Sequence, residues 1–134
     1  MGVVCESRFR VRYAETDQMG MAYYANYLIW MEVGRSDLCR QCGFSYRDLE
    51  REEQAFLTVA EATCRYLSPA RYDDEVVVET ELSRAKSRVV EFTYLIKRGD
   101  TLLAEGKTIH VVIGPDGRPR SMPERYLNLL RSTQ

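Results

Sequence analysis

Apolar and polar residues alternate over residues 4–12 (VCESRFRVR), the period of a half-exposed strand. After a loop, residues 21–33 place apolar side chains all round a helical wheel: Ala22, Tyr23, Tyr24, Tyr27, Leu28, Ile29, Trp30, Met31 and Val33. A helix of that kind is buried on most faces. Its second half, through residue 42, turns polar with Arg35, Asp37 and Arg40 and is expected to reach solvent. Gly34 inside it costs about 1 kcal/mol relative to alanine, which implies close packing against a neighbouring backbone. Gly43 is placed to cap its C-terminus.

The rest of the chain reads as a short helix over residues 45–51, with Ser45 and Asp48 in capping-box spacing, and then strands. Residues 54–67, 74–84, 88–98 and 101–113 form four of them. Val76, Val78, Thr80 and Leu82 share one face of the second, and Val90, Phe92, Tyr94 and Ile96 face inward on the third. Gly99-Asp100 makes a tight hairpin between the last two. Ser121 and Glu124 are spaced to cap a terminal helix around residues 126–130. One strand, one long buried helix and four antiparallel strands make an α+β chain. A five-stranded curved sheet wrapped around the helix buries ~30 Å of apolar helix surface.

Composition narrows the function. The 134 residues fit one domain, 1–134, with 19 basic against 20 acidic side chains and a net charge of −1, so no bulk charge asks for nucleic acid. No basic-then-apolar leader pattern opens the chain, and no apolar run reaches the ~18 residues of a membrane span. A soluble, cytoplasmic protein is the expectation. The four cysteines, Cys5, Cys39, Cys42 and Cys64, are read as reduced thiols. Cys39 and Cys42 lie in a helical pattern, and a single histidine offers too few soft ligands for zinc, so no metal is expected.

Asp17 carries the chemical argument. Placed on a turn before the long helix, it has two readings. One is a helix cap or loop-stabilising carboxylate. The other is a nucleophile or general base facing a carbonyl held by helix N-terminal amides. Gly20 favours the second, because backbone without a Cβ can approach a ligand closely. Glu15 is a second carboxylate nearby and reads as a solvated loop charge.

The stretch YAETDQMGMAYYANYLIWMEVGR, residues 13–35, resembles the 4-hydroxybenzoyl-CoA thioesterase branch of the hotdog-fold acyl-CoA thioesterases, and the order of elements matches over nearly the whole chain. The resemblance implies that Asp17 attacks a thioester carbonyl or activates water against it. It also implies that the backbone amide near Tyr24 polarises that carbonyl. Relatives commonly carry a histidine at the position of Met21 or Tyr24, and this chain has neither. A Tyr24 hydroxyl could donate a hydrogen bond but cannot serve as a neutral-pH base, its ordinary pKa being ~10. Hydratases of this fold use an Asp/His pair near the helix, which argues against hydration here. His110, in the last strand, reads as structural, since no nucleophile elbow accompanies it.

In SRAKSR, residues 83–88, Arg84, Lys86 and Arg88 form either an ordinary charged turn or a clamp for the coenzyme A phosphates. By resemblance, Lys86 and Arg88 are expected to bind the nucleotide, either within one subunit or across a subunit interface, with Arg118 and Arg120 as weaker candidates. Tyr23, Tyr27, Trp30 and Met31 read either as core or as the lining of an acyl pocket. The expected activity is hydrolysis of acyl- or aryl-CoA to free acid and coenzyme A. It needs no cofactor, since coenzyme A is part of the substrate. A homodimer or homotetramer is expected from the sheet edges. Two other readings stand beside it: a non-hydrolytic acyl-CoA-binding protein, and a thioesterase acting on an acyl carrier protein.

Overall fold

The computed structural model describes residues 4–132. Five strands, β1 (Val4–Arg10), β2 (Phe56–Tyr66), β3 (Glu75–Ala85), β4 (Val89–Arg98) and β5 (Thr101–Ile113), form one sheet. Every neighbouring pair is antiparallel, in the order β1-β3-β4-β5-β2. Helix α1 (Asn26–Cys42) lies in the concave side, followed by α2 (Tyr46–Glu53) and, at the end, α3 (Glu124–Arg131). Strand ends match the sequence reading within two residues.

Alternation decides which face is buried. Val76, Val78, Thr80 and Leu82 on β3 and Val90, Phe92, Tyr94 and Ile96 on β4 are all buried against α1. At ~25 cal/mol per Å², side chains of this size contribute roughly 1.5–3 kcal/mol each. The helix approaches closely because Gly34 carries no side chain: a Cβ there would collide with the Thr80 hydroxyl and come within 3.0 Å of Val78 Cγ1. Gly43 ends α1 in the left-handed region at φ 111°. Ser45 caps α2, its hydroxyl accepting from the Asp48 amide at 3.1 Å.

Four features differ from the sequence reading, the first being that Arg35, expected to reach solvent in the second half of α1, is buried. Helix α1 begins at Asn26 and not at Met21, because Met21 and Ala22 are held extended by bridges to Arg71 and Thr16. The helix is also not buried all round: Leu28 and Ile29 are exposed, since the sheet wraps one side only. Ser121 and Glu124 form no capping box, as α3 starts from Pro123 with no side-chain cap.

A polar chain runs through the core. Tyr94 Oη and His110 Nε2 both meet the Thr108 hydroxyl, at 2.6 and 2.8 Å. Burial and the charge of the nearby buried Arg35 push the His110 pKa down to about 4, so its ring is neutral at pH 7. His110 is a structural core residue, as its strand position implied.

Candidate active site

The loop that carries Asp17 is closed on itself. Asp17 N–H donates to the Met21 carbonyl at 2.8 Å, and Gly20 N–H donates to the Asp17 carbonyl at 3.0 Å. The carboxylate folds back over the turn: its Oδ1 accepts from the Met19 amide at 2.9 Å and the Met21 amide at 3.2 Å. One oxygen is therefore fixed and the other has no donor among the described residues. The carboxylate caps its own loop, not α1, whose first residue lies well downstream. Gly20 sits at φ 77°, a conformation other residues reach only with strain, and a Cβ there would meet open space. Its requirement is the turn.

Beside Asp17 lies an open cavity of about 530 Å³, walled mainly by Met19, Met21, Tyr23, Tyr24, Tyr27 and Tyr66. Leu67, Ser68 and Pro69, at the exit of β2, complete it. The lining is mostly apolar, as an acyl or aryl group requires. Tyr27 is the buried floor, its hydroxyl accepting from the Ala70 amide at 3.1 Å. Tyr66 reaches over from the edge strand and donates to the Tyr24 carbonyl at 3.0 Å. The rings of Tyr24 and Tyr27 both meet Tyr66 edge-on, at centroid distances of 6.3 and 5.0 Å. Burial, then Cys64, pushes the Tyr66 phenol up to about 12, and a hydrogen bond with Tyr24 raises that of Tyr23. Both stay protonated donors at neutral pH.

The backbone entering α1 has amides to spare. Tyr23 N–H donates to the Glu15 carbonyl at 2.8 Å, and Asn26 N–H to the Tyr23 carbonyl at 2.9 Å. The N–H groups of Tyr24 and Ala25, between them, have no acceptor among the described residues. Unspent amides at the start of a helix, where its dipole is positive, are suited to a developing oxyanion.

Of the residues singled out from the sequence, Asp17, Tyr23, Tyr24 and Tyr27 line this cavity; Gly20, in the same turn as Asp17, lines a separate hollow with Tyr13, Thr16, Gln18 and Tyr72. Trp30 and Met31 are core and do not line the cavity. Lys86 and Arg88 lie elsewhere. They follow β3, whose opposite end adjoins the Asp17 loop, so eleven strand residues, ~36 Å of extended chain, intervene. Arg120 shares that far end, its amide donating to Val112 beside the Arg88 contact.

Sequence reasoning missed two groups. Tyr66 lies in an edge strand, and no local pattern reveals that it reaches Tyr24. Glu15 is not a solvated loop charge: it is 5% exposed and receives the Trp30 indole N–H at 2.9 Å and the Arg12 amide at 2.7 Å. Burial alone would raise its pKa, but the Arg12 amide, the Trp30 indole and the Arg12 guanidinium together hold it below the usual value. Among the described residues no three His, Cys, Asp or Glu side chains converge as a metal site, and no helix is long and apolar enough to cross a membrane.

Comparison with known proteins places the chain in a family. Residues 19–110 match the family model of the thioesterase superfamily. An acyl-CoA thioester hydrolase of Escherichia coli, YbgC, is 33% identical over 117 residues, 86% of this chain and 87% of that one. A Bacillus subtilis protein carrying an acyl-CoA thioesterase name, YneP, is 46% identical over 77 residues, which span 58% of this chain and 55% of the relative. The crystal structure of a hypothetical protein from Thermus thermophilus superposes with a TM-score of 0.92 at 33% identity, covering 98% of both chains.

Proposed function

The chain belongs to the thioesterase superfamily and has its hotdog fold, and from that membership we propose that it hydrolyses acyl-CoA thioesters at Asp17. The observation that carries the reading is the divided carboxylate of a residue that lines an apolar cavity: Oδ1 is held by two loop amides, and Oδ2 has no donor among the described residues. The thioester carbonyl would lie with its oxygen on the free amides of Tyr24 and Ala25 and its acyl group against Tyr27. Oδ2 then attacks the carbonyl carbon, or takes a proton from a water that does. Attack breaks the C–S bond and leaves a mixed anhydride on Asp17, which water then cleaves at the acyl carbon to restore the carboxylate. With Asp17 as base, water adds to the acyl carbon directly. On either route coenzyme A leaves as its thiolate and takes up the proton the water gives up. The amides bind the transition-state oxyanion more tightly than the substrate carbonyl, which is what accelerates the step.

Strand β2 is a sheet edge with most of its length exposed, and Val59, Tyr66 and Leu67 stand on or beside it. A second copy paired there would cover that edge, and we assign the protein a homodimer or homotetramer on this ground. Lys86 and Arg88 would meet a nucleotide bound at Asp17 only from another copy.

The deciding experiment follows thiol release from short, long and aromatic acyl-CoAs by wild type and Asp17→Asn. Turnover in the wild type that collapses in the variant, while acyl-CoA still binds, supports the assignment. Binding without turnover in both would end it.

A further inference from the structure

We propose that Glu15 is the positioning residue of the site, setting the distance between the Asp17 carboxylate and the amides that receive the oxyanion; this rests on the assignment of Asp17 above. Hydrogen bonds of Glu15 reach the exit of β1, the turn that enters α1 and α1 itself. Its Oε1 accepts the Arg12 amide at 2.7 Å, tying it to the exit of β1. Its Oε2 accepts the Trp30 indole N–H at 2.9 Å, tying it to the body of α1. Its backbone carbonyl accepts the Tyr23 amide and the Asn26 side-chain amide, both at 2.8 Å.

Those last two bonds bear on the chemistry. Tyr23 immediately precedes the free amides of Tyr24 and Ala25, and Asn26 is the first residue of α1. Asp17 follows Glu15 by two residues, across the Thr16–Ala22 bridge that closes the loop. Nucleophile and oxyanion donors are thus both suspended from Glu15, one through the chain and one through hydrogen bonds. The residue is buried, so neither carboxylate oxygen can exchange its donor for water without exposing the other. Arg12 adds a guanidinium contact at 3.4 Å from the solvent side.

Glu15→Gln isolates this role. The two buried donors use different oxygens, and a carboxamide offers only one oxygen. Either the Arg12 amide or the Trp30 indole must then face an NH₂ group. A misplacement of the order of 1 Å costs up to about a hundredfold in rate. The expected result is a fall in kcat of about ten- to a hundredfold with KM changed less than about twofold, because the cavity walls are untouched. Trp30 is the only tryptophan, so its indole N–H resonance reports the broken or retained bond without assignment ambiguity. Asn26→Ala, which cuts only the tie to the helix start, is expected to lower kcat by about threefold or more on the same reasoning.

A shifted Trp30 resonance with kcat within about twofold of wild type would overturn the proposal, since the bond would then serve stability alone. Should Glu15→Gln fail to fold, wild-type kcat in Asn26→Ala overturns it equally. Absence of turnover in the wild type is the separate failure of the Asp17 assignment. An active wild type, a dead Asp17→Asn and a normal Glu15→Gln would remove the Glu15 role alone.

Discussion

Asp17 and Glu15 are two carboxylates of one short loop in opposite surroundings. Glu15 is buried, and both its oxygens are engaged, one by the Trp30 indole of α1 and the other by the Arg12 amide at the start of its own turn. Asp17 is half-buried, its ties are to amides of its own turn, and one oxygen is spare. The first is built into the fold; the second is held by the fold and left available. The contrast teaches that the more deeply buried acid of a pair can be the one with no oxygen to spare. A satisfied carboxylate is an anchor, and reactivity belongs to the oxygen with nothing left to bind.

Asp17→Asn should separate the two most sharply. An Asn oxygen can still accept the Met19 and Met21 amides, so Tm is expected to stay within a few degrees of wild type. Loss of the nucleophile or base should lower kcat by about a thousandfold, measured by thiol release. Glu15→Gln is expected to do the reverse in part, with a loss of stability of roughly 1–3 kcal/mol beside its smaller kinetic defect, measured by denaturant unfolding.

The same pair differs in its response to acid. Because the folded Glu15 pKa is lowered, its charge stabilises the native state above the unfolded value of about 4.3, and that contribution is lost as pH falls through the folded value. The stability gap between wild type and Glu15→Gln should therefore narrow below pH ~4 in urea titrations. A gap that held constant into acid would mean that the wild-type bonds do not need the charge. Smaller than the effect of Glu15→Gln is that of Tyr66→Phe, which removes the hydroxyl on the Tyr24 carbonyl and keeps the ring. A hydrogen bond of about 1 kcal/mol corresponds to a loss of about fivefold in kcat. A larger loss would move weight from Glu15 to the edge strand as the device that orients the Tyr24 peptide.

Much of the scaffold was legible in the chain because its causes are local. Period-two alternation reports burial directly, as in β3 and β4, and Gly43 and Ser45 do at the helix ends what their chemistry prescribes. Asp17 and its tyrosine neighbours were legible through the motif that surrounds them. What escaped was non-local. The bridges that delay α1 until Asn26 involve Arg71, far along the chain, and the burial of Glu15 depends on an indole fifteen residues away. The separation of Lys86 and Arg88 from Asp17 follows from strand direction, which a turn rich in cations does not reveal.

Gly34 has a consequence beyond close packing. Tyr27, the floor of the cavity, rides on the same rigid helix two turns earlier, so the depth of the cavity is set partly by how far α1 sinks toward Thr80 and Val78. A side chain at Gly34 would act as a shim, raising the floor without touching its surface. The size of the cavity is therefore open to adjustment from behind the wall, at a position that does not line it and where a screen confined to cavity residues would not look.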